Sequence, residues 1–354
     1  MKLEKICDLK LPTGVLGLAA LSDGTRLFAA CMDGQILAVE TATGIVTPFA
    51  GKHTSYASGC VLLPDGQTLI SSGYDGCLLW HNVESQRELK RVLAHEFWSW
   101  QLALSPAGDR VASVTGQYLA GGEKYEPALA SEPTVKVYDA QSGDLIRAWD
   151  HVPPVLSLVF SPDGKHLAAA TMMGEVRIWN VVSGELAAKF STSDFTSWGI
   201  IKSPHYCGGI YSLAFAPDGN SLLMCGMGNM TDPMAGNGKM LWQRWAWRES
   251  PKMLAQIHDG EHGAGLMESL VHLPDASGFL MAGRQAQGTW NAAVFSATDG
   301  KLLASLDTQS RVTRSLCSAD GKTLFLAAAV GQPKPESDGK WPDYGRIHVV
   351  KVLI

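Results

Sequence analysis

The chain has 354 residues, of which 46% are hydrophobic and 18% charged, and its formal net charge at pH 7 is −5. This is the composition of a globular protein with ample material for a core. Lysine and arginine are scattered without runs, which argues against binding to nucleic acids or membrane surfaces. The sequence contains no run of 18 apolar residues, so no membrane-spanning helix is expected.

The amino-terminal segment, MKLEKICDLKLPTG, is charged and strand-like. It lacks the apolar core and small-residue cleavage site of a signal peptide. The seven cysteines are spread singly, without CxxC pairs, and most fall inside apolar strands. Buried free thiols in a reducing compartment are therefore expected, and with them a cytoplasmic location. A metal or redox site is the alternative for these cysteines.

The most regular feature of the chain is a turn motif of the type SPDG. An apolar, strand-like run precedes it and another follows it, as VLSLVF and HLAAAT do around Gly164. Four short strands with tight turns fit into about 40 residues, so the pattern predicts repeated four-stranded antiparallel sheets. The turn glycine recurs at spacings of 42, 42, 56, 55, 59 and 43 residues, at Gly24, Gly66, Gly108, Gly164, Gly219, Gly278 and Gly321.

Two further positions recur with this repeat. A histidine lies 13 residues before the turn glycine in three repeats, as His53, His95 and His151. A large or β-branched side chain lies at the end of the predicted third strand, where it can pack between neighbouring sheets. The residues at this position are Val39, Trp80, Tyr138, Trp179 and Phe295.

The spacing from histidine to PDG, and the strand-end aromatic followed by Asn or Asp in VRIWN and VKVYD, resemble the WD-repeat family. The resemblance covers essentially the whole chain and is to a divergent, bacterial-type member. It implies a β-propeller of four-stranded blades. Met173 stands where the family has a turn Asp. The family's His, Ser, Asp and Trp network is possible only in the second repeat, whose third strand is one residue short, with His53, Ser71 or Ser72, Asp75 and Trp80.

We therefore predict an all-β fold, a single seven-bladed β-propeller over residues 1–354. The seventh repeat lacks a fourth strand, and the amino-terminal segment can supply it, which would close the ring. The expected blade cores are 15–49, 57–93, 99–149, 154–190, 210–257, 266–306, and 312–352 together with 2–9.

Long loops are expected to crowd one face of the ring, because the turns of each blade alternate between faces. The long connections follow second or fourth strands, at 116–133, 191–209, 227–239, 284–288 and 330–344. Loops of this kind usually carry binding sites. With EFWSW at 96–100 they could form an aromatic cup at the channel, although tryptophans that only pin the loops are the alternative. The predicted partner-binding residues are Trp98, Trp100, Tyr118, Tyr125, Trp198, His205, Tyr206, Trp341 and Tyr344.

Gln101 and Arg314 are exceptions at one position of the predicted first strands. They could project into the channel mouth and bind an anion or a partner carboxylate. A solvated channel lining is the alternative. The other repeats have small residues there, Gly17, Gly59, Ser157, Ser212 and Ser269.

Two loop clusters hold side chains capable of chemistry. The first consists of soft potential ligands for copper or zinc, without a fixed spacing: His205, Cys207, Met227, Met230 and Met234. The second, HDGEHG, could do acid–base work or ligate a metal, with a solvated turn as the alternative, through His258, Asp259, Glu261 and His262. Paired carboxylates, a GxSxG elbow and a phosphate-binding loop do not occur, so we assign no catalytic residue, cofactor or metal.

The resemblance implies a non-enzymatic scaffold that binds a protein or peptide on the loop-rich face. A closed ring has no obligatory edge pairing, so a monomer is expected, and the scattered charges predict neither nucleic-acid nor membrane binding. The alternative is a small-ligand-binding or enzymatic propeller with its site at the channel mouth on the same face. The two differ in whether polar side chains converge in one enclosed pocket. The side chains in question are Gln101, His205, His258, His262 and Arg314.

Overall fold

The computed structural model of the chain describes residues 1–119, 126–127, 131–198, 206–230, 238–258, 263–331, 337 and 342–353. Throughout these ranges the regular structure consists of β-strands. Over the same ranges, no helix has the length and apolar character needed to cross a membrane. The prediction of an all-β fold is confirmed.

The strands form four-stranded antiparallel units. The first unit contains β2 (Val15–Ala20), β3 (Arg26–Cys31), β4 (Ile36–Glu40) and β5 (Val46–Pro48). The second contains β6 (Ala57–Leu62), β7 (Thr68–Gly73), β8 (Cys77–Asn82) and β9 (Arg87–Leu93). The third contains β10 (Gln101–Leu104), β11 (Arg110–Val114), β14 (Val135–Asp139) and β15 (Leu145–Trp149). A two-stranded hairpin in the third unit contains β12 (Tyr118–Leu119) and β13 (Glu126–Pro127).

The fourth unit contains β16 (Val155–Phe160), β17 (His166–Thr171), β18 (Glu175–Asn180) and β19 (Leu186–Ser191). The fifth contains β21 (Tyr206–Phe215), β22 (Ser221–Met230), β23 (Gly238–Ala246) and β24 (Lys252–His258). The sixth contains β25 (Gly263–His272), β26 (Gly278–Gly288), β27 (Ala292–Ser296) and β28 (Leu302–Leu306). The seventh contains β29 (Arg311–Cys317), β30 (Thr323–Ala329), β31 (Gly345–Leu353) and β1 (Lys2–Leu11). One further strand, β20 (Thr196–Trp198), pairs with β21.

The units are arranged around an axis. The first strand of each unit contacts the first strand of the next, in the order β2, β6, β10, β16, β21, β25 and β29, and β29 contacts β2. The fifth and sixth units are also joined by one strand pair, Lys239 with Ala264. This cyclic order of antiparallel sheets confirms the β-propeller. The bounds of a single domain over the whole chain stay a prediction.

The ring is closed by its two ends. β1 pairs antiparallel with β31, from Lys2 opposite Leu353 to Leu11 opposite Gly345. Asp8 Oδ1 lies 2.7 Å from His348 Nδ1, and Thr313 Oγ1 donates to the carbonyl of Val15 at 2.6 Å. The predicted closure by the amino-terminal strand is therefore confirmed, and it covers the edge of β31.

Near the axis the first strands lie almost in backbone contact. A Cβ atom on Gly17 would overlap the backbone of Gly59 in the next unit. At the same position in later units, Ser157 Oγ donates to the Ile210 carbonyl at 2.9 Å, and Ser212 Oγ accepts the amide of Leu270 at 3.1 Å. The close approach accounts for the small residues at this position in five units, whereas the third and seventh units accommodate Gln101 and Arg314 there.

Farther from the axis the sheets diverge, and aromatic side chains fill the space between them. Trp179 is buried between the third and fourth units, stacked on Trp149 with ring centroids 5.3 Å apart. Its other neighbour is His151, whose ring meets it edge-on at 5.8 Å. An unpredicted residue at the equivalent position of the fifth unit is Trp245, which stacks on Phe190 at 4.7 Å.

The structure corrects the alignment of the second unit at Trp80. Trp179 lies opposite Leu167, whereas Trp80 lies opposite Ile70, and it is His81 that lies opposite the equivalent residue, Leu69. A shift of one residue moves a strand side chain to the other face of its sheet. Trp80 consequently faces the third unit, where its Nε1–H donates to the Ala140 carbonyl at 2.6 Å.

The polar network of the second unit is complete with histidine in place of tryptophan. His53 Nδ1 lies 2.9 Å from Asp75 Oδ1, its Nε2 lies 2.9 Å from Ser71 Oγ, and Ser71 Oγ lies 3.3 Å from His81 Nε2. Burial opposes ionisation of Asp75, but the hydrogen bond with His53 prevails and lowers the pKa of Asp75 to about 2. The network ties the turn before β8 to the segment that enters β6.

His95 and His151 make shorter versions of this network. His95 Nε2 lies 2.9 Å from Ser113 Oγ, and the hydroxyl of Tyr138 donates to the Ala94 carbonyl at 3.1 Å. His151 Nε2 donates to the Ala169 carbonyl at 3.3 Å, and its Nδ1 accepts the amide of Val152 at 2.8 Å. All three repeat histidines are buried and structural.

Several segments expected as loops are partly extensions of strands. The segment 284–288 belongs to β26 and pairs with the beginning of β25, while β22 continues to Met230 and β20 pairs with β21 inside 191–209. Pairing of this kind satisfies backbone donors and acceptors beyond the body of the sheet. These elaborations therefore extend the sheets as hairpins.

Replacement of Trp179 by alanine is expected to lower the free energy of unfolding by about 3–5 kcal/mol, because the buried ring leaves a cavity. Leu186→Ala is the matched control in the same unit, since Leu186 is half-exposed on the outer strand and should change stability by less than about 1 kcal/mol. Urea denaturation measures both. A Trp179→Ala loss below about 1 kcal/mol would contradict the packing between sheets.

Deletion of residues 1–10 is expected to lower the melting temperature and broaden the transition, because it exposes the edge of β31 and removes buried Leu3 and Leu9. Calorimetry measures the change. Ile6→Ser is the control, since Ile6 is exposed on the same strand. An unchanged melting curve after the deletion would refute the closure.

Candidate functional site

Five aromatic side chains form a cluster on the face predicted to carry the long loops, between the second and third units. Tyr56 precedes β6, Tyr74 follows β7, and Phe97, Trp98 and Trp100 lie between β9 and β10. Tyr74 stacks on Trp98 with centroids 4.6 Å apart, and Trp98 stacks on Phe97 at 4.9 Å. Tyr56 lies 5.5 Å from Tyr74, and Trp100 meets Trp98 edge-on at 5.3 Å.

The cluster is held by hydrogen bonds to the sheets below it. Trp100 Nε1–H donates to the Gly116 carbonyl at 2.9 Å, and Thr115 Oγ1 donates to the Trp98 carbonyl at 2.8 Å. Ser99 is buried, and its Oγ lies 2.7 Å from Ser113 Oγ. Despite this anchoring, Trp98 is 39% exposed and Tyr56 47% exposed. The structure thus presents aromatic surface that is both rigid and accessible.

A cavity of about 930 Å³ opens beside the cluster. Tyr56 belongs to both features, so the aromatic surface continues into the cavity wall. The wall combines residues from both ends of the chain, among them Met32, Arg284, Asp307, Arg311 and Tyr344. Closure of the ring therefore creates this cavity.

An ion pair between the sixth and seventh units lies at the inner side of the cavity. Arg311 Nε and Nη2 donate to the two carboxylate oxygens of Glu268, at 2.7 and 2.9 Å. The charge of Glu268 raises the pKa of Arg311, whose further electrostatic neighbours include Tyr211 and Tyr74. Burial raises the pKa of Tyr74 to about 12, so this hydroxyl stays protonated at neutral pH. The pair thus lies where the first strands converge, next to the aromatic cluster.

Only some of the predicted binding residues lie in the aromatic cluster or in the cavity wall. Trp98 and Trp100 belong to the cluster and Tyr344 to the cavity. Gln101 is buried, and its Oε1 accepts the amide of Leu158 at 2.9 Å, so it links two units instead of reaching the channel mouth. The backbone alone is described at Tyr118, Trp198 and Tyr206, whereas Tyr125, His205 and Trp341 lie outside the described residues.

The clusters with possible chemistry are only partly described. Met227 is buried. The side chains of Cys207 and His258 are not described, and Met234, Asp259, Glu261 and His262 lie outside the described residues. The described part of the chain contains no group of three or more His, Cys, Asp or Glu that could hold a metal ion.

The sequence reasoning missed four residues of this site. Tyr56 had a detectable signal, because it precedes its turn glycine by ten residues, as Trp98 does in the next repeat. Tyr74 lies in the turn whose Asp75 was considered only for the polar network. Glu268 and Arg311 had no signal, since nothing in their spacing shows that their strands are neighbours.

Comparisons with known proteins agree with this architecture. The family model described as WD domain, G-beta repeat matches residues 143–180. Residues 143–180 thus match a WD repeat, and the chain is similar to WD-repeat proteins. That match covers the end of the third unit and the fourth unit through Asn180, which includes the Trp179 position.

WD-repeat relatives align with about half of the chain or less. The WD repeat-containing protein SL1-17 of Schistosoma mansoni is 25% identical over 49% of the chain and 52% of its own length. The nuclear distribution protein PAC1 of Arthroderma otae is 26% identical over 48% of the chain and 38% of its own length. The actin-interacting protein 1 of Drosophila melanogaster is 28% identical over 34% of the chain and 20% of its own length. The chain thus spans about half the length, or less, of these relatives.

Replacement of Glu268 by glutamine is expected to destabilise the protein by about 1–2 kcal/mol, because Arg311 would lose its charged partner. The value is below the cost of breaking a fully buried pair because the Arg311 side chain is 41% exposed. Glu4→Gln, on the exposed face of β1, is the control and should be neutral. Equal urea midpoints for the two variants would show that the ion pair contributes nothing.

Proposed function

We propose that this WD-repeat protein is a non-enzymatic scaffold that binds a protein or peptide on the face carrying the aromatic cluster. The observation that carries the proposal is the exposure of Tyr56 and Trp98 on a rigid framework beside an open cavity. Aromatic side chains give a large contact area at a low entropic cost, and they are enriched where proteins bind each other most strongly.

The rigidity of the cluster supports recognition of a partner. Its members lie directly before or after strands of two adjacent units, so little ordering of the site is needed when a partner binds. One relative is named for its interaction with actin, which is an example of protein binding by a protein similar to this chain. The partner of this chain has to be identified by experiment.

Monomeric state and cytoplasmic location are part of the proposal, as is the absence of nucleic-acid or membrane binding. The scattered Lys and Arg residues and the net charge of −5 support the last point. Cys31, Cys60 and Cys225 are buried free thiols, which is typical of proteins kept in a reducing compartment. Size-exclusion chromatography with light scattering measures the oligomeric state.

Affinity capture from native lysate tests the proposed face. The double variant Tyr56→Ser and Trp98→Ser is expected to lose proteins that the wild type captures, because it removes the exposed aromatic area. Leu186→Ser is the matched control, since Leu186 is 50% exposed on the outer strand of the fourth unit, whereas the cluster belongs to the second and third units. Both variants must keep the wild-type melting temperature.

The outcome decides between the predicted function and its alternative. Proteins captured by the wild type and the control, but not by the double variant, support a scaffold that uses this face. Capture that is unchanged in the double variant contradicts the location of the site. A small molecule that copurifies with the wild type, with no protein enriched, favours the ligand-binding propeller instead.

A further inference from the structure

Arg314 is a positively charged side chain inside the ring. It lies on β29, at the first-strand position that is glycine or serine in five of the other units. Its electrostatic neighbours, Cys60, Cys225 and Glu268, belong to three different units, so the guanidinium lies where the first strands converge. Burial lowers the pKa of Arg314, yet an arginine remains protonated at any physiological pH.

Nothing in the described part of the chain neutralises this charge. Glu268 is the acidic group near Arg314, but both of its carboxylate oxygens already accept hydrogen bonds from Arg311. Arg314 itself has no hydrogen bond or ion pair with any residue that the structure describes. Arg314 is partly buried, and two arginines and one glutamate leave one positive charge in excess at this point of the channel.

A second arginine without a partner among the described residues lies in the wall of the cavity. This residue, Arg284, is exposed on β26. Arg311 lies in the same wall and three residues before Arg314 on β29, so it links the cavity wall to Arg314. Asp307 is the acidic residue of the wall, and its Oδ1 accepts the amide of Gln309 at 2.8 Å. The arginines place positive charge both in the cavity wall and inside the ring, which attracts anions.

We infer that the channel mouth binds an acidic segment of the partner protein, with a carboxylate placed between Arg284 and Arg314. The inference rests on the proposed scaffold function and names the chemistry of its partner. A carboxylate supplies the charge that the channel lacks and accepts hydrogen bonds from guanidinium groups in favourable geometry. A peptide fits the site better than a free anion because the cavity continues into the aromatic cluster through Tyr56.

The geometry also gives the length of aromatic surface that the segment can follow. From Tyr56 at the cavity, the cluster extends to Trp98 through two ring-to-ring steps of 5.5 and 4.6 Å. An extended peptide covers this distance in about three residues at ~3.3 Å each. The bound segment should therefore combine its acidic residue with an aromatic or large apolar side chain that packs on this surface.

Panning of a random-peptide phage library on the immobilised full chain tests this inference. The wild type should enrich peptides that combine an acidic residue with an aromatic one. Arg284→Gln and Arg314→Gln should each reduce this enrichment about tenfold or more, because each removes a charge-assisted hydrogen bond. Arg87→Gln is the matched control, since Arg87 is exposed on the outer strand β9, and it should enrich the same peptides as the wild type.

The inference is overturned if acidic peptides are not enriched, or if their enrichment is the same in Arg284→Gln as in the wild type. Should Arg314→Gln fail to fold, the exposed Arg284 still provides the test. Thermal shift with inorganic phosphate is the second arm. Stabilisation of the wild type by phosphate, lost in Arg284→Gln, without selection of acidic peptides would indicate a free-anion site and reject the peptide.

The same experiments separate failure of this inference from failure of the scaffold function. If lysate proteins depend on Tyr56 and Trp98 for capture while the selected peptides are not acidic, the scaffold stands and the acidic segment is wrong. If capture is also independent of Tyr56 and Trp98, the proposed face is wrong as well.

Discussion

The close approach of the first strands around the axis is the constraint on which this structure depends. Gly17 and Gly59 show how little room it leaves, since a single methyl group on Gly17 would meet the backbone of the next unit. Sheets packed this tightly at their inner strands diverge outward, and the wedge between them has to be filled. Large side chains such as Trp179 and Trp245 fill it, so the size of the residue follows its distance from the axis.

Closure of the ring also assembles the surface that is proposed to bind a partner. The pairing of β1 with β31 brings the first and seventh units together. The cavity then combines Met32 and Tyr56, from the beginning of the chain, with Arg284, Arg311 and Tyr344 from its last third. The pairing of chain ends that completes the fold therefore also assembles the proposed site.

Two kinds of recognition meet at this surface. The aromatic cluster offers area that is already ordered, while the arginines offer charge that the protein does not neutralise within its described part. Glu268 shows the difference between structural and available charge, because its carboxylate is hydrogen-bonded to Arg311 and not to Arg314. Charge left unpaired in a converging channel favours an anionic partner, and the rigid aromatic surface beside it favours a peptide over a free ion.

Local pattern in the sequence was sufficient for the repeat, the propeller class and its closure, because turn glycines and alternating strands depend on neighbours along the chain. It also singled out Trp98 and Trp100, which lie together in the aromatic cluster, although their binding of a partner stays a prediction. The sequence did not show that His81 rather than Trp80 occupies the network position, since one residue of register decides which face a side chain takes. Nor did it show that Gln101 is engaged between units, or that Glu268 and Arg311 form a pair. Those contacts join residues far apart in the chain, and only the packing of one sheet against the next brings them within hydrogen-bonding distance.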